Sequence, residues 1–253
     1  MSGFRKDGIT VSVITPARDA AASIERAVLS VQAQSRTDWE MIVVDDGSCD
    51  GTSGIAVRLA EADPRLQVHR HDLGGRGVAA ARNTALSLAR GRYIAFLDAD
   101  DEWASDKLER QLMHMAQTNA ALSYTGFCRV FPGKKERRIH VPSTVTRAAL
   151  LRGNVIGCLT AIYDRAALGD CPMPDLPLRQ DFALWLSILD RVPLAYGLDE
   201  PLALLHMSSE SISANKFRAN LATWQMYRKH LGFGRLRAGW YLGQHVIARL
   251  QRG

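Results

Sequence analysis

Short apolar runs alternate with helix-length amphipathic segments through the first hundred residues, and this alternation restricts the fold more than any other feature. Residues 11–15 (VSVIT) end at Pro16, and residues 41–44 (MIVV) end at Asp45-Asp46-Gly47-Ser48. A third run spans 66–71, and residues 93–97 (YIAFL) lead directly into Asp98-Ala99-Asp100-Asp101. Between them, Ile24, Ala27, Val28 and Val31 recur at helical spacing after Ser23, a candidate cap. Helices are also expected over Thr52–Ala62 and over the Ala-rich segment 78–89, which Gly91 stops. Buried strands alternating with helices make βαβ units. The expected fold is therefore α/β, a Rossmann-like, mostly parallel sheet flanked by helices on both faces.

In such sheets ligands collect outside the carboxyl ends of the strands. Here those ends carry Thr15-Pro16, Asp45-Asp46 and the acidic run 98–101, so three strand exits share one rim. In an extended Asp98-Ala99-Asp100 both carboxylates point the same way and suit one hard cation, Mg²⁺ or Mn²⁺. An isolated motif of this kind also reads as a solvated acidic turn. Position separates the two readings, because three carboxylates after a buried strand repel one another unless something positive sits among them. The DDGS turn is either plain turn chemistry or an acceptor for a base N–H or ribose hydroxyls. Residues 74–77 (GGRG) precede a helix and could cradle phosphate, although GxGxxG spacing is missing.

After Lys107 the pattern loosens. A helix is expected over Lys107–Thr118, an exposed basic hairpin or loop over 132–140, and a helix over 179–189 with Asp181 near its start. Asp181 there is a candidate base or an N-cap. Trp103 and Trp185 read as core residues, and His69, His71, His114 and His140 have no metal-ligand company. Four cysteines without a CxxC pattern fit free thiols in a reducing cytoplasm.

Charge divides the chain. It has 32 Lys+Arg and 26 Asp+Glu, yet eight of the basic residues and none of the acidic ones lie in 216–253. The remainder carries 24 basic against 26 acidic groups, which argues against a body that grips nucleic acid. Two domains are expected: 1–215 as the catalytic unit, and 216–253 as a helical C-terminal extension with helices near 220–230 and 235–250. Phe217, Leu221, Trp224 and Leu231 lie close to one helical face; Leu236, Trp240, Ile247 and Leu250 form a second stripe. A basic amphipathic helix of this composition suits an anionic bilayer surface, the alternative being a packed helix with a solvated basic back. No apolar run of about 18 residues occurs, and the N-terminal residues lack a signal-peptide core. A cytoplasmic protein, peripheral on the inner face of the membrane, is the expectation.

Taken together, VSVITPARDAAASIERAVLSVQAQSRTDWEMIVVDDGSCDGT and GVAAARNTALSLARGRYIAFLDADDEW closely resemble family 2 glycosyltransferases with the GT-A fold. The resemblance is dense over 11–110 and sparser to about 216. It implies that Thr15, Pro16, Ala17 and Asp46 hold the uracil of a UDP-sugar and that Arg82 lies beside base or phosphates. It further implies that Asp98 and Asp100 contact ribose and a Mn²⁺ or Mg²⁺ ion, with Asp101 sharing that role, and that Asp181 is the general base. RQDFALW followed by PLALLHMSSESISANK resembles bacterial enzymes extending O-antigen or capsule units on undecaprenyl diphosphate. The chain departs from the pattern in three places. Arg18 replaces an aromatic, and Gln180 replaces an acidic neighbour of the base. Leu205-His206 replaces Tyr-Arg, which leaves His206, Ser211, Ser213 or Lys216 to meet phosphate. The implied reaction is inverting transfer to a saccharide hydroxyl. Competing readings are a nucleotide-sugar-binding Rossmann enzyme of another reaction class, a basic nucleic-acid- or membrane-binding module, and a degenerate glycosyltransferase that only binds.

Overall fold

All seven residues of β1 (Val11–Ala17) and of β2 (Trp39–Asp45) are buried, as strands covered on both faces must be. The computed structural model describes residues 8–71, 75–207 and 216–252. Side chains alternate between two cores. Ile14, Ile42 and Val44 face one, whereas Val11, Val13, Met41 and Val43 face the other. Helices α1 (Ile24–Gln32) and α2 (Thr52–Ala62) connect β1, β2 and β3 (Leu66–Arg70). Helix α3 (Val78–Leu88) then returns the chain to β4 (Tyr93–Phe96) on the other side of β1. The four strands are parallel, in the order β3-β2-β1-β4. Ser12 crowds the link into β4: a Cβ on Gly91 would lie 2.6 Å from the Ser12 backbone nitrogen, so only glycine fits there.

The second half extends this sheet with mixed polarity. After β5 (Glu102–Trp103) and α4 (Lys107–Thr118) come the long β6 (Leu122–Val130), β7 (Arg137–Ile139), β8 (Thr144–Val145) and α5 (Arg147–Arg152). Next follow β9 (Ile162–Asp164), α6 (Arg165–Leu168), α7 (Gln180–Ile188) and β10 (Ala195–His206). Strand β9 runs antiparallel to both β4 and β6, whereas β10 runs parallel to β6. The expected basic hairpin exists, with β7 folding back on β6. Trp103 and Trp185 are core residues, 4% and 0% exposed.

The C-terminal extension forms α8 (Lys216–Gln225), a π-helical turn over Met226–His230 and α9 (Arg235–Arg252). Tyr227 anchors it: the ring is fully buried and its hydroxyl donates to the Leu151 carbonyl at 2.6 Å. Its first helix starts at 216 rather than 220, and the side chains of Lys216, Phe217 and Leu250 lie outside the described residues.

Candidate active site

The chain reverses its direction of travel across the sheet between β1 and β4. A crevice opens at such a switch point, beyond the carboxyl ends of the strands. Residues Thr15, Pro16 and Ala17 end β1 there, Asp45 ends β2 with Asp46 just beyond it, and Asp98 follows β4 by two residues. The predicted rim therefore assembles. Thr15, Pro16 and Ala17 are all buried within the strand, so their own side chains offer little to the crevice.

Asp46 does more than its sequence position suggested. It is only 4% exposed, and its carboxylate accepts from the backbone N–H of Arg76 (3.1 Å) and Gly77 (2.8 Å). His71 Nδ1 lies 2.9 Å away, and the Asp46 carbonyl accepts from Gly75 N–H at 3.0 Å. Burial works against this charge, but the bonds from His71, Gly77 and Arg76 outweigh it and hold the carboxyl below its ordinary range. This corrects the reading of 74–77 as a phosphate cradle: the N–H groups of Arg76 and Gly77 already serve Asp46, and Gly74 lies outside the described residues. Gly77, at φ 90°, ψ 160°, adopts a conformation that side chains disfavour, which lets its N–H turn to the carboxylate. His71, left without a role by sequence reasoning, clamps this loop, with Nε2 3.0 Å from the Thr84 hydroxyl. The parallel register, which sets Asp45 opposite Arg70, is the signal that would have found it.

The acidic run leaves β4 as a turn rather than an extended strand, with Asp101 N–H donating to the Asp98 carbonyl at 3.1 Å. Asp98 and Asp100 still face outward, while Ala99 and Asp101 are buried. Arg82, from α3, supplies the positive group that the crowding demanded. Its buried guanidinium donates to Asp98 Oδ1 at 2.5 Å, close enough to Asp181 for that carboxylate also to favour the charged form. Desolvation opposes that charge, yet the carboxylates hold Arg82 above its ordinary range. Asp100 is raised by desolvation and by Asp98, and Asp101 is pushed up to about 9 by desolvation and both neighbours.

Asp98 and Asp100, with Asp101 behind them, are the candidate cation ligands. Among the described residues no group of three His, Cys, Asp or Glu side chains forms a closed metal site. One or two carboxylates suffice for Mg²⁺ or Mn²⁺ when diphosphate oxygens complete the shell. Carboxyls whose charged forms are disfavoured by each other are the chemistry that a bound cation relieves, so this donor set fits one.

Asp181 sits in the first turn of α7, half-exposed. It is not the N-cap: that place belongs to Arg179, in a left-handed conformation at φ 69°. An acid there gains from the helix dipole. Cys158, within electrostatic reach of Asp181 and the acidic turn, opens a 3-10 turn over Cys158–Thr160. Burial pushes its thiol well up, eased by Arg82 and reinforced by Asp98, Asp181 and Asp101. Trp103 Nε1 and Gln111 Nε2 donate to the carbonyls of Leu159 (2.8 Å) and Thr160 (2.9 Å), fixing this floor.

A second bridge joins the acidic turn to the end of β10. Arg26 donates from Nη2 to the Asp100 carbonyl (2.8 Å) and pairs through Nε with Glu102 (2.9 Å). Glu102 also meets His206 Nε2 at 2.5 Å, and His206 N–H donates to Asp101 at 3.0 Å. In this arrangement His206 is held by Glu102. Ser211 and Ser213 lie outside the described residues, as does the side chain of Lys216. Arg18, half-exposed, approaches Asp46 at 3.8 Å from the open side of the rim.

The glycosyl transferase family 2 model matches residues 12–164, which span the whole rim up to β9. TuaG of Bacillus subtilis (strain 168), provisionally named a teichuronic acid biosynthesis glycosyltransferase, is 42% identical over 93% of this chain and 94% of its own. WfgD of Escherichia coli, named a UDP-Glc:alpha-D-GlcNAc-diphosphoundecaprenol beta-1,3-glucosyltransferase, is 34% identical over 87% of this chain and 86% of its own. Among solved structures, S. aureus TarS 1-349 in complex with UDP-GlcNAc superposes with a TM-score of 0.72 at 19% identity, covering 94% of this chain and 72% of that one. The shared rim of strand ends, the acidic turn after β4 and these similarities converge: the chain belongs to glycosyl transferase family 2 and has the GT-A fold.

Proposed function

We propose that this protein is an inverting, divalent-cation-dependent glycosyltransferase of bacterial surface polysaccharide synthesis, moving a sugar from UDP to a hydroxyl of a saccharide carried on undecaprenyl diphosphate. The observation that carries the reading is the buried Arg82 guanidinium, bonded to Asp98 at 2.5 Å and within electrostatic reach of Asp181, 83 residues further along the chain. Donor and acceptor chemistry need these groups in one site. The UDP donor is supported by TarS binding UDP-GlcNAc and by the name of WfgD, and the acceptor carrier by that same name. Work on such an acceptor would place the protein at the inner face of the cytoplasmic membrane, with 216–253 as its basic segment.

Transfer requires a nucleophilic hydroxyl on one side and a tolerable leaving group on the other. Asp181 takes the proton from the acceptor hydroxyl as it attacks the anomeric carbon from the face opposite the diphosphate, which inverts configuration. Arg82 holds Asp98 in place. Asp98 and Asp100 would hold Mn²⁺ or Mg²⁺ and the ribose, and Asp101 would add charge behind them. The cation, when bound, neutralises charge on the departing nucleoside diphosphate. Thr15, Pro16 and Ala17 offer main-chain groups to the uracil, and Asp46 fixes the 75–77 loop beside it.

Asp181→Asn tests the assignment. Affinity for UDP, measured by calorimetry, should stay unchanged while sugar transfer falls by about 10²–10⁴-fold. Transfer at the parental rate would remove Asp181 as the base.

A further inference from the structure

Helix α9 has two apolar faces, and only one of them is covered. Ala238 and His245 are buried, Tyr241 and Leu242 pack against the core, and the His245 ring lies 5.7 Å from that of Phe182. Leu236, Trp240 and Ile247 are 93%, 53% and 50% exposed. Steps of four and seven residues set these three in one stripe, opposite the packed side. A helix packed on its domain ordinarily turns polar residues outward; here the outward face is the apolar one. Exposed Arg235 and Arg237 flank Leu236, and 216–253 contains eight Lys/Arg without one acidic residue. Among the described residues no helix is long and apolar enough to cross a membrane.

We propose that the outward face of α9 docks the domain on an anionic lipid bilayer, with Leu236, Trp240 and Ile247 entering the headgroup boundary and the basic residues meeting lipid phosphates. Apolar residues at the centre and cations at the flanks are what an interfacial helix needs. A second copy is a poor occupant, because two-fold pairing would set one acid-free basic segment against another. The consequence for catalysis rests on the reading above. Phe182 meets His245 of α9 and adjoins Asp181 in sequence, so the docked helix and the candidate base are joined through one packed contact. The extension is then a rigid seat that fixes the attitude of the crevice toward a lipid-borne acceptor, rather than a loose tether.

The test uses the full chain, phosphatidylglycerol–phosphatidylcholine vesicles and vesicles of phosphatidylcholine alone. The wild type should sediment with the anionic vesicles only, with a blue shift in tryptophan emission that Trp240→Phe removes. A Leu236→Glu/Trp240→Glu/Ile247→Glu variant should partition at least about 100-fold less while keeping its melting temperature, UDP affinity and transfer to a water-soluble acceptor. Should the triple variant unfold, Leu236→Glu alone should still lower partitioning at least about tenfold. Equal partitioning of wild type and a folded variant overturns the proposal. So does a wild-type dimer in sedimentation velocity that the variant dissolves, without vesicle binding. Vesicle binding without transfer to any acceptor would support docking and sink the glycosyltransferase assignment; transfer without vesicle binding would do the reverse.

Discussion

Lys107→Met should change the sign of its effect on stability between about pH 6 and about pH 9.5. The ammonium position is 0% exposed, its Nζ donates to Gln111 Oε1 at 2.5 Å, and it lies 4.6 Å from the centre of the Trp103 ring. Burial lowers its pKa from 10.5 to about 7. Between those values the unfolded chain binds the extra proton and the folded protein does not, so stability rises with pH across that window. At about 1.4 kcal/mol per pKa unit, burying this amine costs roughly 4–5 kcal/mol at pH 6 and only about 1–1.5 kcal/mol at pH 9.5. Methionine removes that cost, keeps most of the packing and leaves Gln111 Oε1 without its donor, a loss of about 1–3 kcal/mol. The variant should therefore be more stable by roughly 2 kcal/mol near pH 6 and slightly less stable near pH 9.5. Urea unfolding of both proteins at the two pH values measures the difference and cancels other titrations. A difference that does not vary with pH would refute a depressed Lys107. The site is involved, because Gln111 also holds the Thr160 carbonyl in the floor beneath Asp98 and Asp181.

Two further outcomes bear on the rim and its supports. Mn²⁺ should tighten UDP binding, more so as pH rises, because Asp100 and Asp101 have raised pKa values and must lose protons to meet a cation; Asp100→Ala should abolish the gain in calorimetry, and metal-independent binding would count against the site. Gly91→Ala would put its Cβ 2.6 Å from the Ser12 nitrogen and 2.7 Å from the Val11 carbonyl carbon, so it should cost at least about 1–3 kcal/mol. An unchanged thermal midpoint for that variant would mean that the β1–β4 approach can relax.

What local pattern could determine, the sequence carried. Runs buried on both faces announced β1, β2 and β4, and helical spacing announced α1, with α4 expected over the residues it occupies. The rim followed, since strands of one parallel sheet end on one side. Burial periodicity is local, so it survives in one dimension. The rest depended on partners far apart in sequence. Nothing in the acidic run indicates that Arg82, rather than solvent, holds Asp98, or that His206 meets Glu102 across 104 positions. Asp46 was legible as a strand-end carboxylate, but its loop-clamping role required β3 beside β2 to bring His71 into reach. The extension makes the same point. Its sequence carried an apolar stripe on each of two basic helices, but nothing in that spacing told whether the stripe through Leu236, Trp240 and Ile247 packs inward. Only packing against Phe182 and Tyr227 decided which face the domain covers and which it leaves for another surface, because burial is a property of neighbours and not of spacing.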